Sequence, residues 1–386
     1  LERAAVNSIR RVILTFAAVG CAIFSPARFA SAAPAPAARR AVTPQDLAPF
    51  FDGLVPYAIR RGDIAGAAVV IVDNRHVIFS KGYGYADLAK RTPVLIDRTM
   101  FRPGSVSKLF TWTAVMQLVQ AHKLDLDADV NTYLDFKIPP KFGKPITLRN
   151  LLTHTPGFEE TIRDLFVEKP DQLYPLRSYL IKRMPNRIFP PGTVIAYSNY
   201  GAALAGYIVQ RVSGEPFDAY VAKHIFAPLH MQHSTFAQPL PSKFVPLMAS
   251  GYVTASAGKP QPFELVEAAP AGAMSATPAD MGNFMMAYLN GGNYSGGRIL
   301  KPATIAQMWT QQVAPAPGMN GFDLGFYQED RNGQEVVSHA GDTGVFHSDL
   351  HLLPKDNLGV YMTFNSAGKA GAVEKVRTDI FRAFLD

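Results

Sequence analysis

Cysteine is almost missing from this 386-residue chain: Cys21 is the only one, and it sits in an N-terminal stretch that reads as removable. What remains has neither a disulfide nor a thiol nucleophile, so its stability must come from packing. Charge of one sign is also scarce. Lysine and arginine outnumber aspartate and glutamate by 38 to 31, and removing residues 1–32 (Arg3, Arg10, Arg11 and Arg28 against Glu2) takes the formal charge from +7 to 7 − 3 = +4. No Lys/Arg run is long enough to follow a phosphate backbone, which argues against nucleic acid as a partner and leaves a mild attraction to acidic cell-envelope polymers. Three motifs are absent as well: Gly-x-x-x-x-Gly-Lys-Ser/Thr, HExxH and Gly-x-Ser-x-Gly. Their absence argues against a phosphate-cradling loop, a zinc peptidase helix and an α/β-hydrolase elbow. His347 and His351 share a face only in a regular strand, and no metal or other cofactor is expected.

What is present is enough apolar sequence, 48% hydrophobic against 18% charged, to bury a full core. Near the N-terminus Arg10-Arg11 precedes an apolar run from Val12 to Phe24, and Ala30-Ser31-Ala32 follows it. That order of charge, apolar run and small residues predicts a secretory signal peptide over residues 1–32, and with it export to the periplasm or beyond. The uncharged run ends at Ala27, short for a membrane span. A lipid anchor on Cys21 is not expected, because apolar sequence continues past it and Ala18 suits such a site poorly. Residues 33–43, with Pro34, Pro36, Arg39 and Arg40, read as a flexible leader, and 44–386 as one catalytic domain.

Periodicity predicts a helix over 44–61, then strands over 67–73 and 76–83 paired as a hairpin around Asn74-Arg75. From Ser105 to about Gln312 the apolar spacing is mostly helical, broken into short pieces by proline and glycine. Strand character returns over 324–329, 335–339, 345–353 and 358–364, and a last helix covers 372–385. Strands at both ends with helices between predict an α+β fold. Its antiparallel sheet is built from N- and C-terminal segments flanked by helices, with an inserted helical region. The α/β part is 44–108 and 321–386, the helical part 109–320, and the site should lie at their seam. No internal repeat is present.

Ser105-Val106-Ser107-Lys108 follows Arg102-Pro103-Gly104 and opens an apolar helix, so a hydroxyl and an amine stand one turn apart on one face. The same spacing in Ser256/Lys259 and Ser366/Lys369 encloses Ala-Gly, which disfavours helix, so only Ser105 is expected to be held rigidly. A lysine enclosed by apolar walls can lose its proton near neutral pH and serve as base to a serine. Tyr197-Ser198-Asn199 offers a phenol for proton relay and an amide for substrate, whereas Tyr288-Leu289-Asn290 falls where a helix cap is expected. His339-Ala340-Gly341 follows the strand from Glu335: the glycine would let a substrate backbone lie against the strand edge. The N–H of Asp342 would then pair with that of Ser105 as an oxyanion hole. Lys141-Phe142-Gly143 and Lys369-Ala370-Gly371 lack a flanking strand, and His154, before Thr155-Pro156-Gly157, reads as support for a helix exit.

Taken in order, Ser105-x-x-Lys108, Tyr197-x-Asn199 and His339-x-Gly341 resemble the serine hydrolases related to class C β-lactamases, penicillin-binding proteins and D-Ala-D-Ala carboxypeptidases. The segment from Leu151 to Phe158 and Pro191-Gly192 are similar too, so the resemblance covers nearly all of the chain after its leader. It implies a β-lactamase/transpeptidase-like fold and an acyl-enzyme on Ser105. Lys108 and Tyr197 would shuttle the proton, either of them acting as the acylation base; Asn199 would orient the substrate amide; water would release the acyl group. Where β-lactamases of this class carry lysine in the third motif, this chain has His339, as in esterases and D-amino-acid peptidases of the family. The expectation is an exported serine hydrolase acting on D-amino-acid peptides or small esters, a small-molecule or peptide substrate in either case. Its alternatives are a β-lactamase and a non-catalytic scaffold that binds cell-wall peptides or assembles with itself.

Overall fold

The computed structural model describes residues 43–385 except 74, 75 and 164. The expected signal peptide and the leader up to residue 42 lie outside the described residues. Thr43 closes a capping box with Asp46, its Oγ1 accepting from the Asp46 amide, and Pro44 supplies the first helical position. Helix α1 (Pro44–Gly62) follows and turns Leu47, Phe51, Val55 and Ile59 inward as one stripe.

Seven strands form the central antiparallel sheet: β1 (Gly66–Asp73), β2 (His76–Asp87), β3 (Thr92–Pro93), β4 (Tyr327–Gln328), β5 (Val337–Asp342), β6 (His347–Leu353) and β7 (Leu358–Phe364). Their order is β4-β5-β6-β7-β1-β2-β3, so the N- and C-terminal segments meet where β1 pairs with β7, Val70 opposite Tyr361. Both faces of β1 are covered. Ala67, Val69 and Ile71 pack with Phe51 of α1 and with Val373 and Ile380 of the last helix, while Val70 and Val72 face the other way. Burial on both faces is why this strand reads as an unbroken apolar run rather than an alternation.

Between β3 and β4 the chain builds four helices that matter to the site: α2 (Lys108–Gln120), α3 (Leu148–Leu152), α4 (Asn199–Ser213) and α5 (Pro278–Leu289). Helix α6 (Ala372–Leu385) closes the described chain. Among the described residues no helix is long and apolar enough to cross a membrane. Helix α5 is buried along nearly its whole length, and it lies against the sheet so closely that a Cβ on Gly282 would stand 3.2 Å from Val70 Cγ1. On its other side Phe284 stacks on Phe110 of α2 at 4.2 Å. The inserted region therefore supplies one of the sheet's two cover layers, and it also contains short strand pairs such as Ser234–Thr235 with Ser275–Ala276.

Two C-terminal strands differ from expectation. The run over 324–329 keeps only β4, because the chain doubles back between Phe322 and Tyr327, closed by the Asp323 amide on Phe326 O at 2.9 Å. The strand expected to stop at residue 339 continues to Asp342, so the whole His339-Ala340-Gly341-Asp342 run lies inside β5. Beyond Ser338, which faces Tyr327, β4 no longer covers the outer edge of β5.

Candidate active site

Ser105 stands in a 3₁₀ turn, Gly104–Ser107, that runs directly into α2. A 3₁₀ turn eclipses positions i and i+3 more closely than an α-helix does, and it brings Lys108 Nζ to 2.9 Å from Ser105 Oγ. The turn needs two glycines. Gly104 has φ +56°, and a Cβ on it would lie 2.5 Å from Asp342 N. A Cβ on Gly341 would lie 2.0 Å from Pro103 O and 2.8 Å from Ser105 N. Backbone therefore touches backbone, with the turn that carries Ser105 N packed directly on the strand that carries Asp342 N. The reason for Gly341 is different from the expected one: its missing side chain makes room for the serine turn of the protein itself.

Lys108 is fully buried, and burial pushes its amine down to about 7 against the opposing pull of Glu160. All three groups around Nζ can accept a hydrogen bond: Ser105 Oγ at 2.9 Å, Asn199 Oδ1 at 2.7 Å and Ala271 O at 2.8 Å. Arg102, buried beside the turn, holds the segment that presents Ala271 by donating to Glu264 O and, at 3.5 Å, to Gly272 O.

Tyr197 and Asn199 arrive at the N-terminus of α4, where Ser198 is the N-cap and accepts from Gly201 N at 3.0 Å. The Tyr197 hydroxyl pairs with Ser105 and with Tyr327, and burial raises it above the usual phenol range, so it is a neutral donor. Its ring lies 4.7 Å from Lys108 Nζ and stacks on His154 at 4.4 Å. His154 does sit at the exit of α3, with φ +53°, but it also accepts from Ser198 N at 3.1 Å, so it positions the tyrosine motif. Burial, then Lys108, holds its imidazole well below the usual range.

Asn199 is tied into the protein on both sides: its Oδ1 accepts from Lys108, while its Nδ2 and backbone N donate to Glu160 at 2.8 and 3.0 Å, which leaves one Nδ2 hydrogen for a substrate. His339 is fully buried, stacks on Tyr327 at 4.5 Å and bonds through Nδ1 with Ala340 O at 2.6 Å. Burial, reinforced by Lys108, drives it down to about 3, which leaves a neutral imidazole where a cation would be needed to grip a carboxylate. The Asp342 side chain turns away, held at 2.8 and 3.1 Å by Arg377 of α6 and at 2.6 Å by His347, so only its backbone faces the turn. The structure thus gathers Ser105, Lys108, Tyr197, Asn199, His339, Gly341 and the Asp342 backbone. It adds Glu160, Tyr327 and the carbonyl of Ala271, which sequence reading missed. Proximity to the His154 segment was the only signal for Glu160, and none pointed to the other two.

The Beta-lactamase family model matches residues 31–383. Protein flp of Staphylococcus aureus (strain N315) is 28% identical over 343 residues, 85% of this chain and 66% of its own. The putative penicillin-binding protein PbpX of Bacillus subtilis (strain 168) is 33% identical over 267 residues, 67% of this chain and 61% of its own. The chain thus spans about two thirds of the length of these relatives. Among solved structures, the octameric penicillin-binding protein homologue from Pyrococcus abyssi aligns with TM-score 0.72 and 26% identity, over 83% of this chain and 73% of that one. The penicillin-binding protein from Bacillus halodurans shares the fold at TM-score 0.68 and 24% identity, over 83% of this chain and 98% of its own. A match across both sheet segments and the region between them, around a Ser-x-x-Lys turn seated against β5, means that this chain belongs to the Beta-lactamase family of serine hydrolases, with the α+β fold shared by the penicillin-binding proteins.

Proposed function

We propose that the chain hydrolyses an amide or ester through an acyl-enzyme on Ser105, with Lys108 as the acylation base. One observation carries this reading: the hydrogen-bond inventory around Lys108 Nζ. A neutral amine has two N–H donors and one lone pair. When the amine is neutral, Ala271 O and Asn199 Oδ1, which can only accept, take its two donors, and the 2.9 Å contact with Ser105 Oγ, made by an N–H in the ammonium form, falls to the lone pair. Tyr197, a neutral phenol bonded to the same hydroxyl, is a poorer base and a ready donor.

In acylation Ser105 Oγ bonds to the carbonyl carbon as its proton passes to Lys108, and the oxyanion is met by the amides of Ser105 and Asp342. Collapse breaks the bond to the leaving amine or alcohol. Tyr197 gives that group its proton and recovers one from Lys108. Water then adds to the acyl ester, and the released acid restores the Ser105 hydroxyl.

For substrate, the neutral His339 supports small esters or D-amino-acid derivatives that carry no carboxylate beside the scissile bond. His339→Lys should raise the acylation rate of a penicillin relative to a neutral p-nitrophenyl ester by about tenfold, the worth of one charged hydrogen bond. A ratio that stays put, or falls, would remove His339 from the carboxylate-facing position. The signal peptide expected over residues 1–32 supports export as part of the same proposal.

A fluorophosphonate probe tests the central claim. Peptide mapping after labelling should find the adduct on Ser105; an adduct on another residue moves the nucleophile, and a protein that takes up no probe favours the non-catalytic scaffold.

A further inference from the structure

Both polar atoms of the Asn199 amide are engaged before any substrate arrives, and the partner on its nitrogen side is Glu160. One carboxylate oxygen accepts from Asn199 Nδ2 at 2.8 Å, and the other accepts from the Asn199 backbone N at 3.0 Å. The carboxylate thus grips the first residue of α4 with both oxygens, at a helix N-terminus that favours negative charge.

This grip decides which way the amide faces. A carboxamide turned by 180° has nearly the same shape, so only its partners fix the positions of O and N. Burial raises the Glu160 carboxyl, while the two Asn199 donors and Lys108 draw it back down; in its ionised form it can only accept, and it therefore holds Nδ2 on its own side and Oδ1 towards Lys108. The reversed amide would aim an N–H donor at Lys108 Nζ and compete with the Ser105 hydroxyl for the lone pair that acylation requires. We infer that Glu160 is the positioning residue of this site: through Asn199 it directs the Lys108 lone pair to Ser105, and through its charge it stabilises the ammonium formed when the proton is taken. The inference rests on the acyl-enzyme reading above.

Other groups around Lys108 do not duplicate this role. Ser105 and Tyr197 are neutral, Ala271 contributes a carbonyl, and His154 and His339 are buried and held uncharged. Of the groups that act on the Lys108 charge, Glu160 is the one that raises its affinity for a proton. It lies at the exposed mouth of the cleft, so replacing it should leave the fold intact.

The test is the rate of probe acylation against pH for wild type, Glu160→Gln, Glu160→Asp, Asn199→Ala and the Glu160→Gln/Asn199→Ala double variant, with a thermal melt of each. Glutamine removes the charge and one of the two acceptor oxygens. The plateau rate should fall by about tenfold or more, as expected when a base loses its alignment. The acidic limb should move to lower pH by about half a unit or more, because the ammonium loses its nearby anion. Glu160→Asp should keep the limb where it is in wild type. The double variant should plateau with Asn199→Ala, since both changes act through one amide. An unshifted limb in Glu160→Gln, or plateau losses that simply add, overturns the inference while Ser105 labelling in wild type keeps the acyl-enzyme reading. Wild type that takes up no probe overturns both.

Discussion

Lys108→Met is expected to lower kcat/KM for a p-nitrophenyl ester by about a thousandfold, the scale of a lost general base. Methionine fills a similar volume inside the buried start of α2 but has no lone pair strong enough to take the Ser105 proton. The pH profile makes the case specific. With the buried amine pushed down to about 7, wild-type activity should rise through neutral pH and level off above it, while the variant's residual rate shows no such limb. Stability provides a second reading whose sign is fixed by linkage. A lysine depressed in the folded state and ordinary in the unfolded state makes the unfolded chain bind more protons between about 7 and 10.5, so wild type gains stability relative to Lys108→Met as pH rises across that window. Urea melts at several pH values measure it. A wild-type protein that loses stability against the variant over the same window would mean that Lys108 is not held neutral.

The same site shows how far sequence reasoning reaches. Ser105 and Lys108 were legible because three residues of spacing at a helix start leave little freedom, and the strand β5 was legible from its flanking turns. Glu160 was not, because it lies in a loop with no periodicity, and its partner Asn199 is 39 residues away. Ala271 contributes only a carbonyl, which every residue has. Tyr327 belongs to a run whose apolar pattern, 324–329, cannot distinguish an extended strand from the fold-back that leaves two residues paired. The layer position of α5 was hidden for a related reason. A helix buried on nearly every side needs cover all round, and the sequence does not say that the sheet supplies one of those sides.

Close approach is the property that periodicity conveys least, and Gly341→Ala measures its consequence. The added methyl would meet Pro103 O at 2.0 Å and both Ser105 N and Val106 N at 2.8 Å, all of them backbone atoms that cannot rotate away. Neither partner can retreat easily. On one side β5 is fixed by its register with β6, Gly341 opposite Ser348, and by Arg377 on Asp342 at 2.8 and 3.1 Å. On the other, the turn is anchored by buried Arg102 and runs into a helix start buried through Met116. The strain must therefore separate the amides of Ser105 and Asp342, and a misplacement of about 1 Å at a reacting centre costs about a hundredfold in rate. Overpacking of this kind should also destabilise the fold by about 1–3 kcal/mol. Ala340→Ser, one residue earlier on the opposite face beside a polar cavity lined by Asp349 and His351, should acylate within about twofold of wild type, as surface-like changes do. If Gly341→Ala instead reacts at the wild-type rate, the strand and the serine turn do not touch, and the oxyanion pair built on that contact falls with it.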